Sequence, residues 1–186
     1  NPNEKDDGTM SLVKGVVTRF KEKNVLVEGF DMYTTSDVIC GGGISSSAAF
    51  ETLVGTVIDR KYNAGKSTPF EIAQYGWFAE NVFFGKKCGL LDQTVSSYGG
   101  LVSIDFKNES APVIEKINFD FEELGYTLCV TDTKSSHENL TDDYVAIREE
   151  MKQVAKYFDC EVLSEVVEKE FYNMLPNLRK SCSDRE

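Results

Sequence analysis

The chain has 186 residues, 41% of them hydrophobic and 27% charged, and carries a formal net charge of −11. That length and balance suit one globular domain, or one and part of another, with enough apolar side chains to bury a core. The acidic surplus argues against a nucleic-acid partner, whose phosphates demand a basic face, and no apolar run approaches the roughly 20 residues of a membrane span.

The opening run Asn1-Pro2-Asn3-Glu4-Lys5-Asp6-Asp7 lacks the basic-then-apolar pattern of a secretory signal. Cys40, Cys88, Cys129, Cys160 and Cys182 form an odd set with no C-x-x-C pair, which reads as reduced thiols in a cytoplasmic protein. The two glycosylation sequons, at Asn108 and Asn139, are then chance matches.

In chain order, Met10, Leu12, Val13, Val16, Val17 and Phe20 recur at helical spacing and predict a helix over 9–20. Val25 to Phe30 reads as a short strand, and Val38-Ile39 as the end of another. There follows the stretch around which the chain is organised, Gly41-Gly42-Gly43-Ile44-Ser45-Ser46-Ser47-Ala48-Ala49, with Phe50, Leu53, Val54, Val57 and Ile58 at helical spacing behind it. A glycine loop emptying into a helix start lets backbone approach a ligand and presents outward-facing N–H groups. Phosphate is the natural occupant, and a serine hydroxyl can cap the helix or reach a metal. Loop composition alone fits a phosphate cradle and a simple capped helix equally well. Neither standard phosphate fingerprint applies. The dinucleotide pattern would put Ser46 where its third glycine belongs, and a P-loop ending at Gly65-Lys66-Ser67 would need its first glycine at Arg60.

Thr68-Pro69-Phe70-Glu71 signals the next helix, with Thr68 as cap, Pro69 in the first position and Glu71 closing a capping box. It runs to Phe83 and is ended by Gly85; Gly76 inside it implies close packing against a neighbour, since glycine there costs about 1 kcal/mol against alanine. Leu90 to Tyr98 predicts a short helix, Leu101 to Phe106 a strand after Gly99-Gly100, and Tyr126 to Asp132 another strand. A long amphipathic helix from Asp143 carries Tyr144, Ile147, Met151, Val154, Ala155 and Phe158 on one face, and a last helix from Ser164 stops before Pro176. The mixture and order predict an α+β fold.

Glu80, in Ala79-Glu80-Asn81, and Asp92, in Cys88-Gly89-Leu90-Leu91-Asp92-Gln93, are by themselves ordinary, a solvated helix acid and a helix-start acid. His137, the lone histidine, reads as a turn or surface residue.

The glycines followed by Ser45-Ser46-Ser47 resemble the second motif of the small-molecule kinases that include galactokinase, homoserine kinase, mevalonate kinase and phosphomevalonate kinase, with Ile39 in place of the usual proline. The run from Glu80 to Gln93 narrows this to a resemblance to galactokinases or their N-acetylgalactosamine-specific relatives. Asp132 to His137 with Tyr144 and Arg148 extends it. The resemblance implies a two-lobed kinase fold with a ribosomal protein S5 domain 2-like N-terminal lobe over 1–125 and the start of a C-terminal lobe over 126–186. It implies ATP and Mg²⁺ as cofactors and galactose as substrate, with a monomer expected.

Position by position, the resemblance implies that Gly41, Gly42, Gly43, Ser45 and Ser46 wrap the triphosphate. Ser47 and Glu80 would hold Mg²⁺. Gly89, Asp92 and Tyr144 would contact the sugar, and Asp92 would take the proton of its 1-hydroxyl. The N-terminal G-E-H-x-D motif and the C-terminal glycine-rich motif of the family are absent from these 186 residues. The chain is thus expected to be an internal fragment, inactive alone. A sugar- and nucleotide-binding sensor on the same fold is the alternative from another functional class.

Overall fold

The computed structural model describes residues 8–38, 43–131 and 141–181, the side chains at 141, 142 and 144 excepted. The end of the Val38-Ile39 strand, Cys40, Gly41, Gly42, His137 and Cys182 fall outside that set. The elements are α1 (Thr9–Glu22), α2 (Ser46–Tyr62), α3 (Pro69–Phe78), a π turn (Ala79–Phe84), α4 (Leu91–Tyr98), strands β1 (Leu101–Asp105) and β2 (Val113–Ile117), α5 (Thr141–Tyr157), a short 3₁₀ turn (Leu163–Glu165) and α6 (Glu168–Ser181). The fold is α+β, with β1 and β2 paired in a two-stranded sheet. By contacts it divides into two compact units, Asn1–Ile104 with Ile114–Glu138, and Asp105–Val113 with Asn139–Glu186.

In the first unit the apolar stripes of α1, α2 and α3 meet in one cluster of Val16, Phe20, Val27, Val54, Ile58, Ile72, Tyr75 and Ala79. The Val, Ile and Phe side chains among them contribute about 1.5–3 kcal/mol each when fully buried. Phe20 and Tyr75 pack edge to face at 4.7 Å. Two glycines allow the helices to close. A Cβ on Gly15 would lie 2.6 Å from both Cα and Cβ of Ala79, so α1 sits almost backbone-to-backbone on the π turn. A Cβ on Gly76 would lie 3.0 Å from Cβ of Glu51 and 3.3 Å from Cγ of Gln93, the close packing that the sequence required of it.

The capping box forms as expected: the Glu71 amide donates to Thr68 Oγ1 at 3.2 Å and the Thr68 amide to Glu71 Oε2 at 2.8 Å. Gly65-Lys66-Ser67 is a closing turn rather than a phosphate loop, its Ser67 amide donating to Asp59 Oδ1 at 3.0 Å.

Four expectations need correction. Val25 to Phe30 is not a strand: Val27 is buried and Leu26 is 77% exposed, so the alternation exists, but no described segment supplies the ladder hydrogen bonds. Tyr126 to Thr131 likewise pairs with nothing described, and all its side chains are exposed. In their place β2 appears, whose Val113 and Ile117 bracket a charged pair and give a weak signal. The helix from Phe70 does not run unbroken to Phe83; it widens into the π turn at Ala79 and ends at Gly85, which adopts φ 79°. Pro176 lies inside α6 rather than after it. The carbonyl it leaves unpaired, four residues back at Tyr172, belongs to an exposed residue and can turn to water.

In the second unit the α5 stripe is covered only at its C-terminal end. Val154 and Ala155 are buried there and Phe158 meets Phe171 at 5.9 Å, whereas Ile147 and Met151 stay exposed. Ion pairs Lys107–Glu165, at 3.2 Å, and Arg148–Glu109 lie within this unit.

Candidate active site

The site is built where three chain segments cross: the start of α2, the π turn and α4. Gly43 (φ 72°) and Ser45 (φ 59°, ψ 42°) both take left-handed backbone, unusual for serine, immediately before the helix begins. Ser45 is the helix-capping residue, but its side chain makes no capping hydrogen bond, contrary to the expectation of a serine cap. The first intrahelical bond runs from the Ala49 amide to the Ser45 carbonyl. The amides ahead of it belong to the first turn, which by helix geometry has no intrahelical acceptor for them.

Ser47, in the first turn of α2, donates from Oγ to Glu80 Oε1 at 3.3 Å, a contact across 33 residues of sequence. Glu80, the second residue of the π turn, is only 4% exposed and does not lie on a solvated helix face. Its two oxygens have different surroundings. Oε2 accepts from Gln93 Nε2 at 2.9 Å and from the Cys88 thiol at 3.2 Å. Oε1 faces Ser47 and the ammonium of Lys86, 3.4 Å away. The loop bearing Lys86 and Cys88 is pinned to the π turn by the Cys88 amide donating to Asn81 Oδ1 at 3.1 Å. Trp77 Nε1 donates to the Cys88 carbonyl, also at 3.1 Å.

Glu51, one turn after Ser47 on the same face of α2, is fully buried and accepts from Gln93 Nε2 at 3.2 Å. Burial first, then the charge of Glu80, push its pKa up to about 8 from an ordinary 4.5, against the pull of Gln93 and Lys86; Asp92 adds a smaller push upward. Burial and the Glu80 carboxylate push the Cys88 thiol up to about 12, so it sits there as a neutral donor.

Glu51 therefore holds a proton at neutral pH that the unfolded chain has released. Its contribution is fully present below about pH 4.5 and is lost as pH rises toward 8. Glu51→Gln, which mimics the neutral acid, is expected to melt with the parent at about pH 5 and above it at about pH 9. Thermal melts at both pH values check this, and coincident curves at the higher one contradict it.

Asp92 occupies the first turn of α4, exposed, next to Gln93 in sequence and near enough to Glu51 to affect its proton. Gly89 lies exposed on the loop just before it. Tyr144 belongs to α5, its side chain outside the described set. Ser46 is half-buried at the start of α2. Spacing alone missed Glu51, Lys86 and Gln93. The available signal for Glu51 was its position four residues after Ser47, which puts both on one helix face.

Ser47 and Glu80 supply two oxygen donors in contact, and no cluster of three acid, thiol or imidazole ligands exists among the described residues. That set fits Mg²⁺, which keeps waters and phosphate oxygens in most of its shell, and does not fit a metal caged by protein alone. A depression of about 430 Å³ lined by Tyr98 to Leu101 and Lys116 to Asn118 holds none of these residues. It offers two glycines and a single charged side chain, too little chemistry to rival the Ser47–Glu80 site.

Residues 11–100 match the family model of the GHMP kinases N terminal domain. The site just described lies wholly within it. Among curated proteins the chain is similar to galactokinases. It is 30% identical over 184 residues to that of Glaesserella parasuis serovar 5 (strain SH0165), covering 95% of this chain and 45% of the relative. It is 31% identical over 176 residues to that of Actinobacillus pleuropneumoniae serotype 3 (strain JL03), covering 91% and 43%. The chain thus spans less than half the length of these relatives.

Proposed function

We propose that the full-length protein is a cytoplasmic, monomeric galactokinase that transfers the γ-phosphoryl group of ATP to the 1-hydroxyl of galactose. The observation that carries the reading is the Ser47–Glu80 contact, which joins the helix start behind the glycine loop to a buried carboxylate. The names of the similar curated proteins and the matched kinase domain support the same chemistry. Residues 1–125 form the N-terminal lobe of a two-lobed kinase and 126–186 begin its second lobe.

In this reading Gly41, Gly42, Gly43, Ser45 and Ser46 wrap the triphosphate through backbone N–H groups and hydroxyls. Ser47 and Glu80 would hold Mg²⁺, which when bound would neutralise charge on the β- and γ-phosphate oxygens. The Lys86 ammonium, paired with Glu80 Oε1 in this structure, would share its charge with phosphate when nucleotide binds. Asp92 orients the sugar 1-hydroxyl beside Gly89 and accepts its proton as that oxygen bonds to the γ-phosphorus and the bond to ADP breaks. Catalysis in this reading is mostly positioning and charge neutralisation.

The test is galactose-dependent ADP release by the full-length protein with ATP and Mg²⁺, with N-acetylgalactosamine run in parallel. Turnover on galactose is expected, and none from the 186-residue chain alone. Binding of sugar and nucleotide without ADP formation would replace the enzyme by a sensor.

A further inference from the structure

The geometry points to Gln93 as a positioning residue for the metal-holding carboxylate, clamping the inner oxygen of Glu80 to Glu51 so that the outer oxygen alone is turned to Ser47. The inference rests on the Mg²⁺–ATP reading of Glu80 given above.

Gln93 is 1% exposed, in the first turn of a helix only eight residues long, where a glutamine would ordinarily reach solvent. Its Nε2 is shared between two carboxyl groups from different elements, Glu80 Oε2 at 2.9 Å and Glu51 Oε2 at 3.2 Å. An amide nitrogen carries two N–H donors, so one side chain satisfies both. That one amide ties the carboxyl group of α2 and the carboxyl group of the π turn to a common donor. The space for the clamp comes from Gly76, whose missing Cβ would stand 3.1 Å from Glu51 Oε2 and 3.3 Å from Gln93 Cγ.

The consequence lies in how Glu80 is divided. Oε2 is fixed by two donors, the buried Gln93 amide and the half-buried Cys88 thiol, whereas Oε1 has the Ser47 hydroxyl and the Lys86 ammonium at the more exposed edge. A free carboxylate rotates and offers either oxygen; this one is held by one edge. Groups that orient a ligand in this way typically change metal affinity by roughly 10–100-fold when removed. Gln93 Oε1 and Glu51 Oε1 are buried with no hydrogen-bond partner among the described residues, so Nε2 carries the contacts of this amide.

Gln93→Met keeps the length and bulk of the side chain and removes both donors. In the full-length protein, Mn²⁺ binding in the presence of ATP is measured by electron paramagnetic resonance, and turnover is measured across a Mg²⁺ titration. The variant is expected to weaken Mn²⁺ binding roughly 10–100-fold and raise the Mg²⁺ midpoint in step, while KM for the sugar stays within about twofold. Glu51→Gln, which keeps an acceptor for Gln93, is expected to bind Mn²⁺ like the parent. Parental Mn²⁺ affinity in Gln93→Met overturns the proposal. If that variant does not fold, Gln93→Glu, which donates at most one hydrogen bond, is read in the same way. Failure of the parent to bind Mn²⁺ with ATP would instead remove the kinase reading, so the two failures are distinguishable.

Discussion

Asp92→Asn is expected to lower sugar phosphorylation by the full-length protein by about 10²–10⁴-fold, the contribution of a positioned general base. Asparagine has nearly the same shape and can still orient a hydroxyl, but it cannot take its proton. Because Asp92 is exposed at the start of α4 and takes no part in the Gln93 clamp, little stability should be lost with its charge. A small loss follows from the helix dipole alone, about 0.3–1 kcal/mol, since an acid in the first turn faces partial positive charge. Steady-state turnover and a thermal melt measured together give the answer. Turnover within tenfold of the parent, with the fold intact, would take Asp92 out of the reaction.

Gly15→Ala is expected to lower stability more than a methyl at any other described helical glycine, since only there would the Cβ meet main chain within 3 Å. In an open helix the change would gain about 1 kcal/mol from propensity. Here the new Cβ would meet the Ala79 backbone at 2.6 Å and Phe83 Cβ at 3.1 Å, and a backbone atom cannot rotate away. Overpacking of this kind costs about 1–3 kcal/mol, and more where main chain must move. The net expectation is a loss of about 2 kcal/mol, a fall of roughly 4–8 °C in melting temperature for the 186-residue chain. Since Ala79 precedes Glu80, the displacement should reach the site, and affinity for Mn²⁺ with ATP should fall as well. An unchanged denaturation midpoint would mean that α1 does not sit against the π turn as described.

Much of this was legible in the residues. The capping box at Thr68 and Glu71, the apolar spacing from Met10 to Phe20 and the stripe behind the serines are local signals, each sufficient to form its element. The glycine–serine run, Glu80 and Asp92 were legible only through the family they resemble. Taken singly, Glu80 looked like a solvated helix acid and is in fact buried.

Other features depend on tertiary partners that a pattern does not carry. Val25 to Phe30 alternates as a strand should, yet a strand needs a neighbour to bond with. The π turn begins where α1 lies against Ala79, and the Glu51–Gln93–Glu80 clamp needs three segments to converge; periodicity reports neither. Pro176 stopped the helix on paper because its missing donor is normally costly, a cost that exposure at Tyr172 reduces.

The central claim is that the α2 start, Glu80 and Asp92 line one cleft shared by Mg²⁺–ATP and a hexose. A crystal structure of the full-length protein with a non-hydrolysable ATP analogue, Mg²⁺ and galactose tests it most directly. The account predicts Mg²⁺ on Ser47 Oγ and Glu80 Oε1, phosphate oxygens within about 3 Å of the first-turn amides of α2, and the sugar 1-hydroxyl against the Asp92 carboxylate. Nucleotide seated away from Ser47, or a sugar out of reach of Asp92, would contradict it.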